Sequence, residues 1–388
     1  MVSLQTADNA LKSFYLDAVS DTLNYKVNPF FAKVKQSTAD VWGKDVRKLV
    51  RYGINGGVGS GDETGPLPEA KGNNYVQFVA PLKNLYGTIE ISDKAIRASA
   101  NNEGAFVNLL NDEMEGLIKS ASFQFDRMLF GPMDVKNYNF EIYGEFNTAS
   151  VGTTAGLYEG MLVYLMDENF EINEEVGPRR IKRVDRDSLA VSFDGEEFNE
   201  ILPRGYIATS LDTSTDLTGL QAIFEADVLY GVDREEYPFM IPQIKMNVGE
   251  IDENIIQTVI DNLEEGVGST VNMIICSMGV RRALLKYYKE QGMPMQTMEI
   301  EGGFKTLSFN GIPVVADRFC PKGTMYLLNT DDFKLCQLCD WQWLEGDDGK
   351  ILRQVPGKPV YTATLVKYAE LICEKPGGQA RLAGITEA

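Results

Sequence analysis

The residues that could do chemistry are few, and one absence narrows them further: the 388-residue chain contains no histidine. Without it, Ser-His-Asp and Cys-His catalysis, His-ligated zinc and the commonest general base near neutral pH are excluded. Five cysteines, Cys276, Cys320, Cys336, Cys339 and Cys373, are odd in number and set among apolar residues, which predicts reduced, buried thiols rather than a disulfide framework. Cys336 and Cys339 form a C-x-x-C pair, yet tetrahedral zinc needs two further ligands and only three scattered cysteines remain. The run Gly56 to Gly61, GGVGSG, has the glycine content of a phosphate loop but neither its spacing nor a following Gly-Lys-Ser/Thr. Asp331-Asp332 and Asp347-Asp348 lack the pattern of a calcium loop, and no S-x-x-K or G-x-S-x-G occurs. The expectation is a chain without catalytic residues, cofactor or metal.

One basic cluster remains: Arg179, Arg180, Lys182, Arg183 and Arg186. Asp167, Glu168, Glu171, Glu174 and Glu175 precede it closely, so a self-neutralised hairpin is expected, and a DNA-binding module is the alternative. The net charge of -19 and pI near 4.6 oppose a phosphate grip, which needs clustered Lys and Arg.

The elements around these residues are better defined than the chemistry. From Asn101 to Gly131, apolar Phe106, Leu110, Met114, Leu117, Ile118, Ala121, Phe125, Met128 and Leu129 recur at steps of three and four, which predicts one long amphipathic helix. Asn102 can cap it, Gly131 and Pro132 end it, and at 1.5 Å per residue it runs roughly 40 Å, too long for one small domain. Before it, Thr6 to Tyr25 carry a stripe of Leu11, Phe14, Tyr15, Ala18, Val19 and Leu23, broken by Asn28-Pro29 before Phe30-Phe31. This segment to residue 50 holds seven Lys or Arg against five Asp, opposite in sign to the chain as a whole.

Arg51 to Phe78 is glycine-rich with almost nothing to bury, although Tyr75 to Ala80 and Gly87 to Ile91 have strand character. Such a loop is disordered, serves a function or is ordered by a partner. Residues 134 to 227 predict a small domain of short strands, with RRIKRV and LAVSF flanking the turn Asp185 to Ser188. From Asp227 the pattern is α/β: a helix capped by Asp252 and ended at Gly266, the strand Val271 to Cys276, a helix opened by Ser277, and a hairpin turning at Asn310-Gly311. A last strand is expected over Tyr361 to Glu374, with loop after Pro376. No apolar run approaches a membrane span and no signal peptide is evident, so a soluble, cytoplasmically made protein is expected.

This order of parts resembles the major capsid protein of tailed bacteriophages, with the Hong Kong 97-type shell fold. Local wording is similar too, in LYGVDREEYPFMIPQI (Leu229 to Ile244), NMIICSMGVRRALLKYYKEQ (Asn272 to Gln291) and FNGIPVVADRFCPKGTMYLLN (Phe309 to Asn329). The resemblance implies an α+β fold with an N-terminal arm (1–50), an extended hairpin loop (51–92), a peripheral domain with the spine helix (93–133), an inserted β-domain (134–227), an axial domain (228–355) and a peripheral return strand and tail (356–388).

The implied function is a shell subunit, forming pentamers and hexamers around double-stranded DNA in the virion and assembled in the bacterial host cytoplasm. Implied partners are further copies of the chain, a portal, and a separate scaffolding protein, because a short arm begins at Met1 where some members carry a long scaffolding helix. An encapsulin-like compartment is the related alternative. The exposed arm and loop make Phe14, Tyr15, Phe30, Phe31, Gly56, Gly57, Gly59, Gly61, Leu67, Lys71 and Tyr75 the candidate subunit-interface residues. Some members crosslink through Lys and Asn, but Lys71 and Lys83 match no such motif.

Overall fold

The apolar steps before Gly131 fold as a 28-residue helix, Glu103–Phe130, in a computed structural model that describes residues 28–61, 69, 71–94, 103–131, 138–143, 147–154, 156–208, 215–292, 297–300, 304–346 and 349–388. Met114, Phe125 and Leu129 of its stripe are buried, and Leu117, Ile118, Ala121 and Met128 pack half-buried against the same core. The side chains of Phe106 and Leu110, and the expected cap Asn102, lie outside the described residues.

The helix lies on a five-stranded sheet whose organising element is the returning strand Val360–Cys373. One edge of that strand pairs antiparallel with Lys83–Ser92, from Val360 opposite Ser92 to Ala369 opposite Lys83. Its other edge pairs with Phe333–Trp343 through two register shifts, and with Arg353–Gln354. Lys35–Ser37 adds a parallel strand outside Phe333–Trp343. The strand over Phe333–Trp343 was not legible in the sequence, because those shifts interrupt the period-2 alternation that marks a strand.

The short strands expected after the helix close into a six-stranded barrel built from Asn139–Ile142, Thr148–Val151, Leu162–Met166, Arg179–Asp185, Ala190–Phe193 and Arg204–Ala208. Alternate residues, among them Phe140, Val163, Leu165, Ile181, Phe193 and Ile207, fill its interior. After the barrel the chain comes back against the end of the long helix. There Gly219 is pressed so close that a Cβ would stand 2.4 Å from the Met128 carbonyl oxygen and 2.6 Å from the Gly131 nitrogen. Next to this crossing Arg127 and Asp216 form a buried ion pair at 2.9 Å, and the Thr218 N–H donates to the Glu370 carboxylate at 2.8 Å. Burial pushes Glu370 up to about 7, despite that hydrogen bond.

Beyond the barrel a seven-stranded mixed sheet runs in the order Gln243–Lys245, Ala380–Leu382, Met325–Leu328, Met273–Cys276, Ile312–Ala316, Phe304–Phe309, Thr297–Ile300. Helices Glu253–Val267 and Met278–Glu290 pack on it through Ile256, Val259, Leu263, Val280 and Leu284. Asp252 and Ser277 cap them as expected, and Asn310-Gly311 turns the hairpin with both φ positive.

Two expectations are corrected here. The first helix ends at Gly268, not Gly266: Gly268 takes the left-handed conformation, and its N–H with that of Ser269 closes the last turn. The tail after Pro376 is not loop throughout, since Ala380–Leu382 inserts between Gln243–Lys245 and Met325–Leu328. A three-residue strand is too short to show a period, and its pairing is wholly non-local.

The buried pair at the barrel junction is worth most when whole. Asp216→Ala leaves the Arg127 guanidinium buried without its partner and is expected to cost roughly 3–5 kcal/mol. Urea denaturation of the purified subunit measures it; a loss below 1 kcal/mol would show that the junction does not depend on the pair.

Candidate assembly surface

Asp45–Tyr52 and Asn74–Pro81 form a long antiparallel hairpin, with Asp45 opposite Pro81 at its root and Tyr52 opposite Asn74 near its tip. The second strand continues through Leu82 directly into Lys83–Ser92 of the main sheet. Val46, Val50, Val76, Phe78 and Ala80 point to one face and are buried against Leu229, Tyr230, Val232 and Met240. Tyr230 fastens that layer to the returning strand: its hydroxyl donates to the Leu371 carbonyl and accepts the Cys373 N–H, both at 3.0 Å. Farther out, Tyr52 stacks on Phe239 with ring centroids 4.6 Å apart.

Lys48 also points inward, where it meets Asp40 at 2.6 Å and Glu374 at 3.4 Å, while Lys334 reaches the same Glu374 carboxylate at 2.7 Å. Partial burial pulls the ammonium down, but the two carboxylates outweigh it and hold Lys48 above its ordinary value. The hairpin root is therefore pinned by charge as well as by apolar packing.

The opposite face is different. Arg47, Leu49 and Arg51 stand across from Val79, Gln77 and Tyr75, all turned to solvent. Leu49 is 62% exposed, Tyr75 52% and nearby Trp42 68%; at the tip Ile54 reaches 95% and Val58 88%. The tip is nevertheless shaped: the Asn55 amide donates to Asn73 at 3.1 Å, the Asn73 amide to the Tyr75 hydroxyl at 3.2 Å, and the Gly57 N–H to the Asn55 carbonyl oxygen at 2.8 Å. Large apolar side chains held out on a fastened arm, not folded into a core, make this face a candidate contact surface.

The structure divides the candidate interface residues. Gly56, Gly57, Gly59, Gly61, Lys71 and Tyr75 lie on the hairpin, with the Lys71 side chain against Gly56. Phe30 and Phe31 are buried in the chain's own core, edge-on to Phe333 at 5.1 Å and tilted on Phe125 at 6.2 Å, so they stabilise the subunit's own fold and offer no surface to a neighbour. Phe14, Tyr15 and Leu67 lie outside the described residues.

Missing from the sequence reading are Trp42, Leu49, Ile54, Val58 and Val79. In DVRKLVRY the inward residues are Val46, Lys48 and Val50 and the outward ones Arg47, Leu49 and Arg51, so a charge sits on the buried side and a leucine on the wet side. Hydropathy alternation could not find that face.

The basic cluster is held differently from expectation. Arg180 donates to the Gly160 carbonyl, Arg186 to those of Thr154 and Leu157, and Arg179 to that of Asp194, instead of to the acids that precede them. Two of those acids have other partners: Asp167 accepts the Asn169 and Glu171 N–H groups, and Glu168 pairs with Arg204 at 2.8 Å. Cys276, Cys320, Cys336 and Cys373 are buried free thiols and Cys339 is half-buried; burial pushes Cys336 up to about 11, the opposite of thiol activation. Among the described residues there is no group of three possible metal ligands, and no helix is long and apolar enough to cross a membrane.

No protein-family model and no curated protein matches the sequence. Solved structures do. The capsid asymmetric unit of cyanophage A-1(L) superposes with a TM-score of 0.56 at 11% identity, covering 93% of this chain and 94% of that one. Mycobacterium phage Bobi follows at 0.47 and 8% identity (93% and 91% covered), and the holo-SrpI encapsulin complex from Synechococcus elongatus at 0.46 and 9% (93% and 89%). This mixed α/β chain has a phage-capsid fold, so the resemblance visible in its sequence holds at the level of the fold.

The two faces of the hairpin are expected to separate in mutation. Phe78→Ala, on the inner face, should cost roughly 3–5 kcal/mol, whereas Leu49→Ser and Val79→Ser should each stay within about 0.5 kcal/mol of the parent. Chemical denaturation of the isolated subunit checks both; an equal loss on the two faces would mean that the outer face is covered within one chain.

Proposed function

We propose that this chain is the major capsid protein of a tailed phage, a Hong Kong 97-type subunit that assembles as pentamers and hexamers into an icosahedral shell. The observation that carries the reading is the outer face of the hairpin: Leu49, Tyr75, Val79 and Trp42 are held in water by an arm whose other face is fully packed. A second copy of the chain is the partner proposed to cover them. Because Arg47 and Arg51 share that face and the chain as a whole carries -19, the neighbour's acidic surface complements it. Each contact is modest alone and is repeated by symmetry throughout a shell.

In this reading the long helix and the five-stranded sheet around the returning strand, Phe333–Trp343 and Arg353–Gln354 included, form the peripheral domain, the seven-stranded sheet with Ala380–Leu382 and its two helices the axial domain at capsomer centres, and the 134–227 barrel an insertion on the subunit. The role is structural, not enzymatic. The shell encloses double-stranded DNA without gripping it, since an acidic wall repels phosphates and packaging is driven by a motor through a portal. Assembly takes place in the host cytoplasm, with a separate scaffolding protein, and the product is the virion.

Deleting Gly56 to Gly61 shortens the tip while leaving the packed root intact. The variant is expected to fold as the parent does and to assemble poorly. Negative-stain microscopy and size exclusion after co-expression with the scaffolding protein read this directly. Normal shells from the deletion variant would reduce the tip to a linker; monomers alone from the parent under every condition would overturn the shell reading, and protein cargo in place of DNA would point to an encapsulin-like compartment.

A further inference from the structure

Three parts of the chain meet at one side-chain amide. Asn28 lies at the start of the short helix Pro29–Lys33, where its Oδ1 accepts the Phe30 N–H at 2.8 Å and caps that turn. Its Nδ2 carries two hydrogens, and both are used: one goes to Oδ1 of Asp126 on the long helix, the other to Oδ2 of Asp317, just past the strand Ile312–Ala316, at 2.6 Å. Asn28, Asp126 and Asp317 are 2%, 4% and 7% exposed. Two buried carboxyl groups converging on one neutral donor cannot both stay ionised without a cation between them.

The other charges nearby do not supply that cation. The Arg318 guanidinium stands 3.8 Å from Asp126 Oδ2 but is itself 56% exposed, and Arg127 is committed to Asp216. On the Pro29–Lys33 helix, the Lys33 ammonium donates to the Asn272 carbonyl at 3.4 Å. On the Asp317 side, Phe319 donates its N–H to the Asp317 carboxylate, and the thiols of Cys320 and Cys276 are pushed up by burial and stay neutral.

We propose that Asp126 and Asp317 share one proton and thereby act as a latch, fixing the Pro29–Lys33 helix and the long helix against the axial sheet, and that loss of this proton releases them. In the closed state a neutral Asp126 donates its O–H to an ionised Asp317, which also accepts from Asn28 and Phe319. Removing the proton leaves two adjacent buried negative charges that one amide cannot compensate, so the three elements separate locally. The latch is a property of the subunit alone; that it sets the angle at which subunits join rests on the shell reading.

Its direction with pH follows from the burial. Burial first, and then the Asp317 charge, push Asp126 up to about 8, and burial raises Asp317 as well. An unfolded chain releases this proton near pH 4, at about 3.9 for an ordinary aspartate. The folded chain holds it more tightly, so its stabilisation is complete below that value and is lost as pH rises through about 8. The latch is closed in mild acid and opens in mild alkali.

Asp126→Asn is the discriminating variant, because a neutral amide can donate to Asp317 and accept from Asn28 at any pH. Amide protection factors over residues 30–34, corrected for intrinsic exchange, are expected to fall by up to roughly tenfold per pH unit between about pH 4 and about pH 8 in the parent and to level off above that, and to stay level throughout in Asp126→Asn. The thermal midpoint of the parent should fall more steeply than that of the variant across the same window, in which Glu370 contributes equally to both. If Asp126→Asn fails to fold, infrared spectroscopy of the parent decides: beyond the Glu370 carboxyl, which titrates at about 7, a second protonated-carboxyl band is expected that persists at pH 7 and is gone by about pH 9.5. Absence of that band at pH 7, or the same loss of protection in parent and variant, overturns the proposal. Particle size across this pH range tests the assembly consequence separately, so failure of the shell reading leaves the latch result standing.

Discussion

Everything in this chain hangs on one strand being hydrogen-bonded along both edges. Val360–Cys373 joins Lys83–Ser92, reached early in the chain, to Phe333–Trp343, reached near its end. Leu365, Ala369 and Leu371 of that strand share a core with Met114, Phe125 and Leu129 of the long helix. Without it, the helix loses the surface it covers and the hairpin loses its continuation into the sheet. Where the pairing with Lys83–Ser92 ends, the Tyr230 hydroxyl takes over the Leu371 carbonyl and the Cys373 N–H, so the strand's backbone groups are satisfied and it is a firm foundation for parts that reach outward.

Those parts, the hairpin and the barrel, leave the foundation at junctions sealed by charge. At the hairpin root the seal is Lys48 with Asp40 and Glu374; at the barrel it is Arg127 with Asp216, beside the Thr218 contact to Glu370. Apolar packing tolerates sliding, whereas an ion pair as buried as Arg127–Asp216 has one geometry and a high cost for leaving it, and the half-buried Lys48 cluster a smaller one. Such junctions hold a projecting element at a defined angle. The Asn28 cluster follows the same logic, with a proton in place of a cation.

The hairpin shows how stability and assembly divide between two faces of one sheet. Its inner face is a small core of its own, from Val46 and Phe78 to Tyr230 and Met240. Its outer face retains Leu49, Tyr75 and Val79 in water, a cost to the lone chain that association can recover. The glycine-rich tip, tied through Asn55, Asn73 and Tyr75, has the shape of a contact without an apolar core beneath it.

The sequence by itself determined the elements whose signals are local. The helix stripe from Met114 to Leu129, the caps Asp252 and Ser277, the Asn310-Gly311 turn and the strand before Glu374 depend on side-chain period and turn chemistry within a few residues, and all were legible. The absence of histidine likewise excluded whole classes of chemistry before any folding. Only the tertiary structure decided which face of each element was buried and against what. It took Phe30 and Phe31 into the core, turned Leu49 outward and Lys48 inward, drew Ala380–Leu382 into a sheet, and brought Asn28, Asp126 and Asp317 together. Those outcomes depend on partners tens to hundreds of residues away in the chain, and a local pattern holds no record of which distant surface will arrive to cover it.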